Sequence, residues 1–217
     1  MAYVEGVFNV TVPITFDNNG YYSIADLNIT AAITDHENWP ISKNTVFLAR
    51  IPPQNNVTIS HNISFNVQEI MTRAEYAFYD SEFVLYGSFS LNYASLVPFE
   101  FETNRTLPWG APLFNFTSGV PEYQAYNGTH IRTNVPLSFQ NHSPYFSLTG
   151  VIRVEILNNR QQLLGSGTTF MDVPSNANYE GEVEVVVSPA MVTSNGQIRI
   201  FIESEMFNYG PVVRNYG

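Results

Sequence analysis

The sequence predicts an all-β protein built from two tandem antiparallel β-sandwich domains, and three observations predict it. Alternation of apolar and polar residues with period two dominates, while no stretch longer than a few turns carries a 3.6-residue period. The chain is also written twice. Val12-Pro13-Ile14-Thr15-Phe16-Asp17-Asn18 matches Val135-Pro136-Leu137-Ser138-Phe139-Gln140-Asn141 position for position, and the same offset pairs Tyr22 with Tyr145, Ile29 with Ile152, Ile33 with Ile156 and Phe47 with Phe170. With one residue deleted the register continues, pairing Ile51-Pro52 with Val173-Pro174, Val57 with Tyr179 and Ile63 with Val185. A repeat of about a hundred residues is a whole small domain rather than a solenoid unit. Lastly, 217 residues at 44% hydrophobic can bury two modest cores of that size.

The elements follow from the alternation. The first copy gives strands near 6–16, 24–34, 45–51, 56–67 and 82–93, and the second gives strands near 130–140, 147–157, 167–173, 178–187 and 197–207. Each has one apolar face; Val57, Ile59, Ile63, Phe65 and Val67 point one way and Thr58, Ser60, Asn62, Ser64 and Asn66 the other, as in sheets packed face to face. Asn195-Gly196 reads as a hairpin signal between the last two long runs, and Asn19-Gly20 and Asn127-Gly128 mark turns. The first copy carries extra residues over 69–81, where Thr72 to Tyr79 fits one or two helical turns. Both copies are expected to close on a strand ending Asn-Tyr-small, at Asn92-Tyr93-Ala94 and Asn208-Tyr209-Gly210. Two prolines and a glycine over 106–112 mark a boundary, giving domains 1–107 and 108–217. Beyond it, Leu113 to Val120 reads as an opening strand that the first copy lacks, or that lies upstream together with an export or anchor segment.

Composition narrows the function classes. Net charge is -10 and Lys43 is the only lysine, so there is no basic stripe to neutralise phosphates and nucleic acid is not an expected partner. Charged residues make up only 13%, roughly half the usual share, and amides and hydroxyls carry the polar surface instead. The absence of cysteine removes disulfides, thiolate metal sites and a cysteine nucleophile. No apolar run has the length of a membrane span, so membrane contact is expected only through an anchor outside this sequence.

Location is signalled by Asn-X-Ser/Thr sequons. Eight occur, at Asn9, Asn28, Asn56, Asn62, Asn104, Asn115, Asn127 and Asn141, against about three or four expected by chance. Asn9, Asn28, Asn62 and Asn115 fall between apolar neighbours, on the solvent phase of alternating strands, where a glycan would leave the core undisturbed. An Asn- and Thr-rich β-protein also makes sequons by accident.

Chemistry is sparse. His36, His61, His130 and His142 have no metal-ligand spacing, and His61 takes an inward position on its strand, where a satisfied core histidine is the expectation. Asp35-His36-Glu37 reads as a solvated loop, and Gly165-Ser166-Gly167 lacks the spacing of a nucleophile elbow. Glu180, Glu182 and Glu184 alternate along one strand face about 7 Å apart, and Glu203 and Glu205 share the phase of Arg199 on the next strand. As neighbours across a hairpin these acids would repel unless relieved by Ca²⁺, by arginine or by protonation; a solvated face that discourages edge pairing is the alternative. Tyr21, Tyr22, Tyr76, Phe78, Tyr79, Tyr123, Tyr126, Tyr145 and Phe146 fall in turns or insertions, as contact surfaces for protein or glycan or as loop packing.

Each copy runs strand, Asn-containing turn, strand, polar turn, Phe-containing strand, Ile/Val-Pro, long alternating strand. In this it resembles the water-stress-and-hypersensitive-response domain of the folded late-embryogenesis-abundant (group 2-like) proteins, with Asn18-Asn19-Gly20 and Asn141-His142-Ser143-Pro144 standing in place of that family's Asn-Pro-Asn turn. The resemblance covers nearly the whole chain, twice, and implies immunoglobulin/fibronectin-like sandwiches with a protective, structural or binding role, no cofactor and no catalytic residues. The expectation is a non-enzymatic, exported, glycosylated structural or adhesive module of a prokaryotic, archaeal cell surface, meeting protein or glycan there. The alternative is a virion coat or turret protein, or an extracellular filament subunit, self-assembling through strand contacts, with Val7 to Phe16 as a donated strand. A desiccation-related protective protein is the third.

Overall fold

The computed structural model describes residues 2–4 and 6–217, and the fold is all-β with antiparallel sheets. The elements in chain order are β1 (Ala2–Val4), β2 (Val7–Asn18), β3 (Ile24–Thr34), β4 (Pro40–Ile51) and β5 (Asn55–Asn66), followed by the short helices α1 (Val67–Ile70) and α2 (Ala74–Phe78). Then come β6 (Ser81–Tyr93), β7 (Val97–Trp109), β8 (Phe114–Ser118), β9 (Glu122–Asn127), β10 (His130–Asn141) and β11 (Leu148–Asn158). The chain closes with β12 (Leu163–Val173), β13 (Ala177–Val187), a 3-10 turn at Pro189–Met191, β14 (Gly196–Ser204) and β15 (Asn208–Tyr216).

Two compact units form. The first is Met1–Asn66 with Glu82–Pro108, and the second is Val67–Ser81 with Trp109–Gly217. In the first, one sheet has the order β1-β2-β5 and the other β4-β3-β6-β7; in the second the orders are β13-β10-β8, with β9 also on β10, and β12-β11-β14-β15. The same topology is thus laid down twice, with β2 to β7 repeated as β10 to β15. Pairing is in register with the sequence repeat: Val12 faces His61 across β2–β5 as Val135 faces Val183 across β10–β13.

Each core lies where the alternation puts it. In the first unit Leu27, Ile29 and Ile51 gather Ile14, Phe16, Val57 and Ile59 from one sheet and Leu48, Phe89 and Leu91 from the other, a sandwich-like packing. In the second, Val135, Leu137, Phe139, Ile152, Val154, Val183, Val185, Ile198 and Ile200 are buried, each fully buried large side chain contributing about 1.5–3 kcal/mol.

One asparagine per unit holds the turn after the first long strand. Asn18, 3% exposed, donates through Nδ2 to the carbonyls of Tyr22 (2.9 Å), Ile51 (3.2 Å) and Pro52 (3.0 Å), and its Oδ1 accepts from Gly20 N–H (3.2 Å). Asn141, 0% exposed, donates to Phe146 (3.0 Å), Val173 (3.3 Å) and Pro174 (3.2 Å), and accepts from Ser143 N–H (3.1 Å). The paired turns therefore rest on one reproduced network of otherwise orphaned backbone groups.

Several expectations are corrected. Residues 69–81, read as an insertion of the first repeat, fold together with 67 and 68 into the second unit: Val67, Ile70, Met71, Tyr76 and Ala77 are buried, Trp109 Nε1 donates to Tyr76 O (2.9 Å), and Leu113 N–H donates to Ala77 O (2.9 Å). The chain accordingly enters the second unit at Val67, leaves it after Ser81 and returns at Trp109, and the units are not the continuous halves 1–107 and 108–217. Asn195-Gly196 opens β14 but makes no hairpin with β13, because β13 lies beside β10 and β14 lies in the other sheet. Asn92-Tyr93 ends β6 whereas Asn208-Tyr209 begins β15, so those two tripeptides are not equivalent. The boundary over 106–112 falls partly inside β7, which runs to Trp109. The helical turns expected within 72–79 occur as α2, and the opening strand over 113–120 occurs as β8.

Candidate functional site

The sequon asparagines divide by burial. Asn56, Asn62, Asn104, Asn115 and Asn127 are exposed, and Asn9 and Asn28 are half-buried. Asn62 stands on the outer phase of β5, its Oδ1 accepting from Thr11 Oγ1 (2.7 Å), while Asn127 Oδ1 closes the β9–β10 turn by accepting from Thr129 N–H (2.9 Å). Asn141 is the correction: Nδ2, the atom a glycan would occupy, is fully buried and committed to three carbonyls, so this sequon is structural in the folded chain.

The acidic ladder is rearranged relative to expectation. Glu180, Glu182 and Glu184 do line the exposed face of β13, but their cross-strand neighbours on β10 are Ser138, Pro136 and Asn134. Asn134 Nδ2 donates to Glu182 Oε1 (3.2 Å), and Arg132 pairs with Glu184 at 3.2 Å. Glu203 lies in the other sheet, where it accepts from Arg153 Nε (2.9 Å), and Arg153 also reaches Glu155. The hairpin repulsion that would have called for Ca²⁺ is therefore not built, and no group of three His, Cys, Asp or Glu side chains placed to hold a metal occurs among the described residues.

The histidines are separate from one another. His36, Glu37 and Asn38 are exposed, as expected of a solvated loop, while Asp35 beside them is buried and ties the turn, its Oδ1 accepting from Glu37 N–H (2.8 Å) and Trp39 N–H (2.7 Å). His130 meets the Thr129 hydroxyl (2.8 Å). His142 stacks on Phe114 (4.1 Å between centroids) and bridges Asp80 Oδ2 (2.9 Å) and Gln140 Oε1 (2.8 Å).

His61 is different. It is 1% exposed, as its inward phase requires, yet neither ring nitrogen has a hydrogen-bond partner among the described residues, so it is not the satisfied core histidine expected. Burial lowers its pKa below the usual imidazole value, favouring the neutral ring. It lines a mostly apolar cavity of about 290 Å³ within the first unit, together with Val12, Ile14, Ile63, Leu85 and Arg105. Sequence reasoning placed His61 inward but missed the cavity, which depends on which strand edges are covered.

The aromatic residues in turns split in the same way. Tyr21, Tyr22, Tyr79, Tyr123 and Tyr126 are at least half exposed, whereas Tyr76 and Phe146 are buried. One duplicated aromatic pair is also exposed, Phe47 on β4 at 57% and Phe170 on β12 at 66%, so the repeat preserves more than core positions.

No family model and no curated protein matches the chain. Among solved structures, a red sea bream transglutaminase aligns over 99% of this chain and 30% of its own, at 14% identity and a TM-score of 0.34. A glycosyl hydrolase family 2 member from Bacteroides cellulosilyticus aligns over 98% of this chain and 28% of its own, at 8% identity and a TM-score of 0.39. The chain thus spans less than a third of the length of either.

Proposed function

We propose that this chain is a non-enzymatic, exported and N-glycosylated structural or binding module of a prokaryotic cell surface. The observation that carries the reading is the distribution of sequons: seven of the eight asparagines, all but Asn141, have exposed or half-buried positions where a glycan needs no unfolding. A net-acidic surface rich in amide, hydroxyl and tyrosine groups and poor in lysine suits contact with glycan or protein rather than with polyanions. The test is glycan occupancy at those seven positions in protein taken from its native source.

A second reading, an assembly subunit of a virion or an extracellular filament, is favoured by the edge of β2. β2 is paired along its whole length with β5, so it is not a strand free for donation; among the described residues, however, its opposite edge is covered only by β1, opposite Val7 to Asn9.

A further inference from the structure

The two copies differ at one edge, and the second copy shows what the first lacks. In the second unit β8 pairs with β10 at Leu137, Ser138 and Gln140, Gly119 N–H donates to Pro136 O (2.9 Å), and Phe116 stacks on Phe139 (6.2 Å between centroids). The equivalent stretch of β2, Pro13 to Asp17, has no strand on that side among the described residues. Side chains register the difference: Val135 is 0% exposed, while its counterpart Val12 is 40% exposed. Pro13 does not bar pairing, since Pro136 holds the same place on β10 beneath β8.

The cavity lies between the sheets at this edge, with Val12 and Ile14 of β2 in its lining. His61, unpartnered there, occupies the position that Val183 fills in the second unit. Arg105 also has a counterpart. In the second unit Arg214 stands opposite Ile198 and donates through Nη1 to Ser118 Oγ of β8 (2.8 Å). In the first, a Cβ on Gly87 would touch Thr103, and counting two residues along each strand of the β6–β7 hairpin brings Arg105 beside Leu85, the counterpart of Ile198. Arg105 has no ion-pair or hydrogen-bond partner among the described residues.

The geometry points to a strand-docking site on the first unit: an extended segment of a partner polypeptide pairs with Pro13 to Asp17 of β2, inserts an apolar side chain into the cavity and presents a hydroxyl or other acceptor to Arg105. The occupant has the pattern of β8, Phe-polar-Phe-polar-Ser, because in the duplicate that pattern supplies both the edge pairing and the acceptor for the arginine. Main-chain bonds along the edge supply affinity, and the cavity and Arg105 supply selectivity. The inference rests on the duplicated geometry and not on glycosylation, so unglycosylated protein tests it.

The experiment is titration of the full chain with a synthetic peptide of the sequence LFNFTSG, read by calorimetry and by amide hydrogen exchange, with a scrambled peptide as control. The expected result is saturable one-to-one binding, new protection confined to residues 12–17 and 103–105, and at least tenfold weaker binding by Arg105→Ala, a change on an exposed strand outside the core. Equal binding of the scrambled peptide, or protection elsewhere, overturns the proposal. So does uptake of 1-anilinonaphthalene-8-sulfonate by the cavity with no binding of the peptide, which would make it a small-molecule pocket. A concentration-dependent dimer that protects residues 12–17 without peptide assigns the edge to a second copy and overturns the partner named here.

Discussion

Replacing Asn141 by alanine tests the structural assignment of that sequon. Nδ2 offers two N–H groups to the carbonyls of Phe146, Val173 and Pro174, and Oδ1 takes the Ser143 N–H, all in a residue that is 0% exposed. Three bonds at a net of about 1 kcal/mol each, with a buried donor then left unsatisfied at about 1–3 kcal/mol, predict a loss of about 4–6 kcal/mol. That is a large part of a domain's stability and corresponds to a fall in Tm on the order of 20 °C for a unit of this size. Asn18→Ala should cost a similar amount in the other unit, since its four contacts are the same in kind. Asn141→Asp should cost at least as much as alanine, because it turns a carboxylate oxygen toward the three carbonyls. Calorimetry and urea titration of the three variants read the effect. A loss below about 1 kcal/mol for Asn141→Ala, within the range of an ordinary surface substitution, would refute the reasoning.

Two further predictions follow from burial and close approach. His61 binds its proton more weakly in the folded chain than in the unfolded one, so stability is level above the ordinary imidazole pKa of about 6.5 and falls as pH drops below it, with a slope of at most about 1.4 kcal/mol per pH unit until the folded pKa is passed; Arg105 is the charged group in the same cavity lining, and urea titrations across that range should show His61→Val abolishing this part of the slope. Gly167 lies against β13, where an added Cβ would sit 1.9 Å from Glu184 O, so Gly167→Ala should cost at least about 2 kcal/mol, whereas Gly128→Ala, with nothing within 4 Å, should stay within about 0.5 kcal/mol by the same titration.

The strands with one buried face were legible from alternation; β3 spans Ile24–Thr34 and β13 Ala177–Val187, as the period-two reading places them to within a residue. β7, β9 and β15 were not. Edge strands bury little: all six residues of β9 and ten consecutive residues of β7 are exposed, and Pro108 within β7 reads as part of a break. The pairing of β13 with β14 was inferred from their adjacency in sequence, and it fails because the connection passes from one sheet to the other. Burial of Asn141 was invisible to a local motif but present in the repeat: Asn18 keeps the asparagine without a hydroxyl residue two positions on, which marks the position as serving the scaffold. The site on the first unit was only half legible. The inward phase of His61 is local information, whereas the open edge, and an Arg105 without a partner among the described residues, emerge from comparing the two folded copies.

The central claim, an exported glycoprotein, is tested most directly by intact mass and glycopeptide mapping of the chain from its native source. The account predicts glycans among Asn9, Asn28, Asn56, Asn62, Asn104, Asn115 and Asn127, with Asn62 and Asn115 on the outer phases of their strands occupied and Asn141 bare. An unmodified mass would contradict it, and a glycan on Asn141 would contradict the folded network that buries that residue.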